Sequence, residues 1–335
     1  MTRVVGIYCD LGRSLGAGHF VRSSALGAAL TARGARVEIV ANLDEVPWAR
    51  AQAEDLGLTP VQGHDPAGVP ALASARGWDT AVVDSYRATA ADLADLAVPL
   101  AAVDDEDVRP LPATLVVNQS LNAGEYDYAR WPQPLVLRGP RHALLRPRIT
   151  AARPAAYPVR DWSDRRQRVL VVLGGTDARG GAAALTRLAL DALPEVELRV
   201  IASNEAAADV VRAVHVPAGS SVEVIPPVLA IEELMTWADL VLSGAGSTVW
   251  ELCCLGTPMA IVVVADNQLP NYQELLAHGI AVGLGRLGDA VLTLPDVLRT
   301  PAVNVYGRRA WETVDGRGAD RVAEAVLELS LSERR

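Results

Sequence analysis

The chain has 335 residues, more than one hydrophobic core usually supports, and half of them are apolar, so two domains are expected. A formal charge of -9 argues against nucleic acid or an anionic membrane surface as partner and leaves a small-molecule substrate as the better fit. Three cysteines, Cys9, Cys253 and Cys254, lack metal-ligand spacing and read as buried thiols of a reducing, cytoplasmic setting; no signal peptide and no membrane insertion are expected.

From the N-terminus one pattern repeats, a short β-branched run followed by an Ala/Leu-rich helical segment. The runs RVVGIY, RVEIVA, TAVVDS, LAAVDD and TLVVNQ predict strands of a parallel sheet. After the first of them, LGAGHFVRSSALGAAL (residues 15–30) opens on glycines and continues with an apolar stripe at helical spacing, Val21, Ala25 and Ala29 with Leu26 and Leu30 alongside. Each run ends near a polar residue, which matters because open α/β sheets bind ligands beyond the carboxyl ends of their strands. Past residue 146 the text turns to RPRITAARPAAYPVRDWSDRR, rich in proline and charge, which predicts an interdomain linker. The pattern then restarts with RVLVVLGG, VELRVIAS, SVEVIPPV, LVLSG and MAIVVVAD, each followed by a helical stretch, and the chain ends on the helical GRGADRVAEAVLEL.

The fold expected is therefore α/β, with two doubly wound Rossmann-like domains facing a central cleft. The boundaries read as 1–150 for the first domain, 151–167 for the linker, 168–315 for the second domain, and 316–335 for a C-terminal helix returning toward the first.

Four clusters can carry chemistry. In the first, Gly16 and Gly18 lead into His19 at a helix start; a tight turn with a hydrogen-bonded histidine explains it, and so does a general base at a strand end. The second, LGGTDARGG, places Gly174, Gly175 and Thr176 where backbone can approach a phosphate, but it lacks the lysine of a P-loop. The third, SGAGSTVWELCCLGTP, sets Gly244, Gly246, Ser247 and Thr248 at a helix N-terminus, an anion site of N–H groups and hydroxyls. There Thr248 and Glu251 fit either a T-x-x-E capping box or a site in which Glu251 accepts from both ribose hydroxyls. In the fourth, a fully apolar strand stops at Asp266, Asn267 and Gln268, placed to meet a ligand or to cap the next helix.

Together GAGHFVR, LGGTD, GAGSTVWELCCLGTP, DNQ and VDGRGADRV, in this order, resemble the UDP-sugar hydrolase of pseudaminic acid biosynthesis and its spore-coat polysaccharide relatives. That group is similar to a branch of the GT-B superfamily related to the glycosyltransferase that forms lipid II. The resemblance implies a GT-B fold and a UDP-sugar substrate, with a dTDP-sugar as alternative, and no metal or cofactor. It implies that His19 acts at the anomeric carbon with Tyr86 of VVDSYR and Asn267 of DNQ beside it. Gly16, Gly18, Arg22, Asp84, Asp266 and Gln268 would line the substrate, and Gly174, Gly175, Thr176, Gly244, Gly246, Ser247, Thr248 and Glu251 the nucleotide. Two departures stand out, Ala178 in place of a common proline and Ser23 in place of a common cysteine; neither is expected to touch the chemistry.

A nucleoside diphosphate leaves readily without a general acid, so the chemistry needs charge stabilisation and a base. The first expectation is an inverting hydrolase in which His19 activates water. The alternative is an inverting glycosyltransferase with the same donor site and an acceptor hydroxyl in place of water. A hydrolysing epimerase using the DDED run, Asp104 to Asp107, is a third reading, against which the run reads as a solvated loop.

Overall fold

The computed structural model describes residues 2–12, 15–46, 48–63, 65–104, 110–131, 134–161, 166–173, 180–193, 195–288 and 295–332. It divides into two units, Met1–Pro147 together with Gly316–Arg335, and Arg148–Asp315.

Among the described residues unit 1 holds a seven-stranded sheet: β1 (Val4–Cys9), β2 (Arg36–Ala41), β3 (Thr59–Gln62), β4 (Thr80–Asp84), β5 (Leu100–Val103), β6 (Leu115–Asn118) and β7 (Leu135–Arg138). The order is β3-β2-β1-β4-β5-β6-β7, and every pairing is parallel. Helices cover both faces of such a sheet, so its central strands are continuous apolar runs. β4, β5 and β6 are buried along their whole length, and Ile7 of β1 lies between Ile39 and Val82. Gly6 is dictated by packing: a Cβ there would stand 2.1 Å from the ring of Trp78, whose indole N–H donates to Glu38 at 2.9 Å. Helices α1 (Gly18–Thr31), α2 (Trp48–Asp55) and α3 (Val69–Arg76) connect the strands on the first side of the order.

Unit 2 opens with α4 (Pro147–Ala151), whose first residue belongs to unit 1. Its six-stranded parallel sheet, again among the described residues, comprises β8 (Arg168–Val172), β9 (Glu197–Ile201), β10 (Ser221–Ile225), β11 (Leu240–Gly244), β12 (Met259–Val263) and β13 (Val282–Arg286). The order is β10-β9-β8-β11-β12-β13. Between them run α5 (Gly181–Ala192), α6 (Glu205–Arg212), α7 (Ile231–Trp237), α8 (Thr248–Leu255) and α9 (Leu269–Ala277), followed by α10 (Val303–Thr313).

The proline-rich stretch expected as a linker at 151–167 is, where described, bonded into unit 2. Arg153 donates to the carbonyls of Cys254 at 2.7 Å and Trp311 at 2.9 Å, and its guanidinium lies 4.5 Å over the Trp311 ring. Tyr157 donates to Asn304, which also accepts from the Arg160 amide and donates to its carbonyl. Irregular backbone without periodicity is held here by arginine forks that satisfy helix-end carbonyls.

The last helix, α11 (Gly318–Ser332), belongs to unit 1. Val322, Ala323 and Val326 are fully buried in one cluster with Leu26 and Leu30 of α1, and each such valine contributes about 1.5–3 kcal/mol by leaving water. α1 is thus covered on more than one side. Phe20, Leu26 and Leu30 are fully buried while Val21 and Ala29 of the expected stripe are only half-buried, and the polar His19, Arg22, Ser23 and Ser24 are buried as well. The glycines of GRGADR set the approach of α11. Gly316 has φ +76°, and a Cβ on Gly318 would stand 2.2 Å from the carbonyl oxygen of Ala143. Among the described residues no helix is long and apolar enough to cross a membrane.

Candidate functional site

Strand order reverses between β1 and β4 in unit 1 and between β8 and β11 in unit 2. At such a switch point neighbouring strands send their connections to opposite faces, which opens a crevice beyond their carboxyl ends. In each unit, sequence-predicted residues gather there.

In unit 1 the chain leaves β1 through Asp10, Leu11 and Gly12. Gly12 and Gly16 then exchange backbone hydrogen bonds of 2.8 and 3.3 Å, closing a tight loop for which Gly16 adopts φ +81°. The loop delivers the chain to α1, whose N-cap, Ala17, supplies no side-chain cap, and His19 is the second helical residue. His19, Arg22 and Ser23, one turn apart on one face, converge on Asp84, the last residue of β4. Asp84 accepts from Arg22 Nε at 2.7 Å, Arg22 Nη2 at 2.6 Å and Ser23 Oγ at 3.0 Å, and His19 Nε2 lies 3.9 Å from its Oδ1. The Tyr86 ring meets the His19 ring edge-on, with centroids 4.4 Å apart at 85°.

A second carboxylate fixes that tyrosine. Asp10, fully buried, accepts from Ser85 Oγ, the Tyr86 amide and Arg87 Nε, each at 2.9 Å, and Arg87 also donates to the Tyr8 hydroxyl. Burial pushes the Cys9 thiol well up, and nearby Asp84 adds to the effect. The Tyr8 phenol is also raised, chiefly by burial. Neither group supplies an anion at neutral pH.

In unit 2, β8 leads toward Gly174, Gly175 and Thr176, which lie outside the described residues, as does Ala178. The other strand of the switch point, β11, ends at Gly244, and Ala245, Gly246 and Ser247 turn into α8. Ser247, at the N-cap, has helical dihedrals and makes no side-chain cap, while Thr248 stands inside the helix. The capping-box explanation of Thr248 and Glu251 therefore does not apply, because an N-cap needs non-helical backbone. Glu251 is buried in the first turn of α8.

The turn is braced from the end of β12. Gln268 Oε1 accepts from the Val264 amide at 2.9 Å, and the same amide side chain lies 3.4–3.7 Å from where a Cβ on Gly244 or Gly246 would sit. Asn271 Nδ2 donates to the Ala245 carbonyl at 2.9 Å. Asp266 and Asn267 are exposed on a 3₁₀ turn, Asp266 paired with Arg286, and no side chain caps that turn or α9.

Gly16, Gly18, His19, Arg22, Asp84 and Tyr86 thus share one cluster in unit 1, and Gly244, Gly246, Ser247, Thr248, Glu251 and Gln268 share one in unit 2, with Asp266 and Asn267 on the neighbouring turn. Arg22 and Asp84, expected to line substrate, are buried against each other beside His19. Gln268 lies beside the glycine turn and accepts from the Val264 amide. Ser23, expected to stand apart from the chemistry, donates directly to Asp84. Sequence reasoning passed over Asp10, Ser85, Arg87 and Asn271; a polar residue just past a strand end was the available signal for the first three. Asp104 is described but Asp105 to Asp107 are not, so the acidic-run reading lies largely outside the described residues. Among the described residues no group of three or more His, Cys, Asp and Glu is placed to hold a metal ion.

Residues 169–286 match the model of the glycosyltransferase family 28 C-terminal domain. The chain is 33% identical over 172 residues to a UDP-N-acetylglucosamine--N-acetylmuramyl-(pentapeptide) pyrophosphoryl-undecaprenol N-acetylglucosamine transferase of Xanthomonas euvesicatoria, a match covering 48% of this chain and 40% of that protein. The enzyme of the same description from Xylella fastidiosa is 30% identical over 181 residues, 49% of this chain and 47% of that one. The chain thus spans less than half the length of either relative. Acinetobacter baumannii MurG superposes with a TM-score of 0.66 at 14% identity, covering 98% of this chain and 100% of that one. The two doubly wound units are a GT-B fold.

Proposed function

We propose that this chain is a glycosyltransferase that takes its sugar from a nucleoside diphosphate, with unit 2 holding the nucleotide and His19 of unit 1 accepting the proton of the incoming hydroxyl. One observation carries the reading: the helix-opening turn 244–248 stands at the switch point of its sheet and lies inside the stretch that matches a glycosyltransferase C-terminal domain. The start of α8, where the Ser247 side chain makes no cap, together with the Ser247 and Thr248 hydroxyls and the positive end of the helix dipole, suits a diphosphate that gains negative charge as it leaves. The Glu251 carboxylate accepts from the ribose hydroxyls. Because the relatives' names specify UDP-N-acetylglucosamine, that sugar nucleotide is the first donor to test.

The acceptor oxygen bonds to the anomeric carbon as the bond from that carbon to the diphosphate oxygen breaks. The bonding electrons leave with the nucleotide, the acceptor proton passes to His19, and the anomeric centre inverts. Tyr86, edge-on to His19, contacts the sugar. Hydrolysis, the first expectation from sequence, yields to transfer because the matched proteins are transferases, and an acceptor hydroxyl replaces water.

The test is mass spectrometry of reactions with UDP-N-acetylglucosamine and other UDP- and dTDP-sugars in ¹⁸O-water, with and without a panel of sugar, polyprenyl-linked and natural-product hydroxyls. Nucleotide release that depends on an acceptor, with an unlabelled glycosylated product, is expected. His19→Ala should lower turnover by about 10²–10⁴-fold while nucleotide binding persists. Full-rate release without acceptor, with ¹⁸O in the free sugar, would return the reading to hydrolysis.

A further inference from the structure

We infer that Arg22 is a positioning residue that keeps His19 available as a base by occupying Asp84, the carboxylate nearest the imidazole. The inference builds on the reading of His19 as the base. A carboxylate beside a histidine ordinarily favours the imidazolium, and a ring already protonated cannot take the acceptor proton. Here Asp84 is fully buried, so its charge is little screened by water, yet both of its oxygens are already engaged. Arg22 grips Oδ1 and Oδ2 in a two-pronged contact of 2.6 and 2.7 Å, and Ser23 adds a third bond to Oδ2. His19 Nε2, 3.9 Å from Oδ1, is beyond hydrogen-bond reach. A guanidinium keeps its charge at every accessible pH and its flat fork matches a carboxylate, so the pair presents almost no net charge to the ring in the resting state.

The other groups around the ring leave this balance intact. Among the described residues, the charged or titratable groups at these strand ends also include Cys9 of β1, Asp10 just after it and Arg87 after β4; Tyr86 meets the ring edge-on. The buried Cys9 thiol is held protonated, and Asp10 is matched by Arg87. Among the described residues, the carboxylate that bears on the ring's proton affinity is Asp84, 3.9 Å away, and the cation that offsets it is Arg22, one turn along the same helix.

The signs are opposite for the two partners. Arg22→Gln exposes His19 to an unmatched carboxylate, so its ring titrates at higher pH, by about one pH unit. Asp84→Asn leaves Arg22 unmatched, so the ring titrates at lower pH. Arg22→Lys keeps the charge and stays near the parent protein. The experiment is an NMR titration of the His19 ring in the full chain, its signal identified among the five histidines by its loss in His19→Ala. Movement of Arg22→Gln and Asp84→Asn in one direction, or no movement in either while circular dichroism shows both folded, overturns the inference. Should Arg22→Gln fail to fold, Asp84→Asn decides alone, and a rise or no change there is the overturning result. The acid limb of the kcat/KM profile separates the two readings. If the ring titration moves as stated but that limb does not, the charge balance stands and His19 is not the base.

Discussion

Asp10→Asn is the perturbation that most directly probes how unit 1 builds its site. The two carboxylate oxygens of Asp10 serve different donors, Oδ1 the Ser85 hydroxyl and the Arg87 Nε, and Oδ2 the Tyr86 amide. Asparagine offers one acceptor oxygen and a donor NH₂. Whichever way it turns, the NH₂ faces a donor, either the Tyr86 N–H or the Ser85 and Arg87 pair. A buried donor left unsatisfied costs about 1–3 kcal/mol. The loss of Arg87's ion-pair partner adds less than about 1 kcal/mol, because the Arg87 side chain is 41% exposed and water screens it. The expected destabilisation of unit 1 is therefore about 2–3 kcal/mol, small in volume change and confined to the ends of β1 and β4. With two units a single unfolding midpoint is not well defined, so the assay is amide hydrogen exchange read by mass spectrometry over β1 and β4. Exchange through unfolding should quicken by about 30–150-fold there, each 1.4 kcal/mol being tenfold, with the strands of unit 2 unchanged. Turnover should fall as well, because the Tyr86 backbone that sets the ring beside His19 loses its anchor. A change under about threefold in exchange, in a folded variant, would refute the argument that Asp10 holds this turn.

Gly318→Ala should destabilise the docking of α11, since the new methyl meets backbone atoms of His142 and Ala143 that cannot rotate away; a loss of about 1–3 kcal/mol, seen as faster exchange in α11 and α1, is expected, and an unchanged protein would mean the helix shifts freely. Glu251→Gln should weaken UDP binding by roughly tenfold or more in titration calorimetry, the worth of a hydrogen bond to a charged group, and an unchanged Kd would remove Glu251 from the nucleotide site. The three thiols should be silent to Ellman's reagent at pH 8 in the folded protein and all react in guanidinium, because burial raises Cys9 and Cys253 well above the usual range and Cys254 to about 11. Rapid reaction of the folded protein would contradict that burial.

The sequence by itself determined the two parallel sheets and the helix starts that bear His19 and the Gly244–Thr248 turn. A strand buried on both faces must be written as an apolar run, and a helix opening on a ligand needs glycine and small polar residues, so both are legible locally. Edge strands are less legible: β3 and β7 are half-exposed and β13 carries two glycines, and all three were passed over, although β7 holds the short apolar run Leu135–Leu137, while the edge strand β10 was expected from SVEVI. Only the tertiary structure decided that β1 neighbours β4, because strand order follows from crossover connections that no local period records. That order brings Asp84 to Arg22, Ser23 and His19 across 61 or more residues of chain, and Asp10 to Ser85, Tyr86 and Arg87 across 75 or more. α11, expected to return toward the first domain, belongs to unit 1, and the structure adds how it meets it: a glycine's missing side chain lets helix meet backbone. Residue types announced which chemistry was present, and the crossing of the chain chose which of those residues meet.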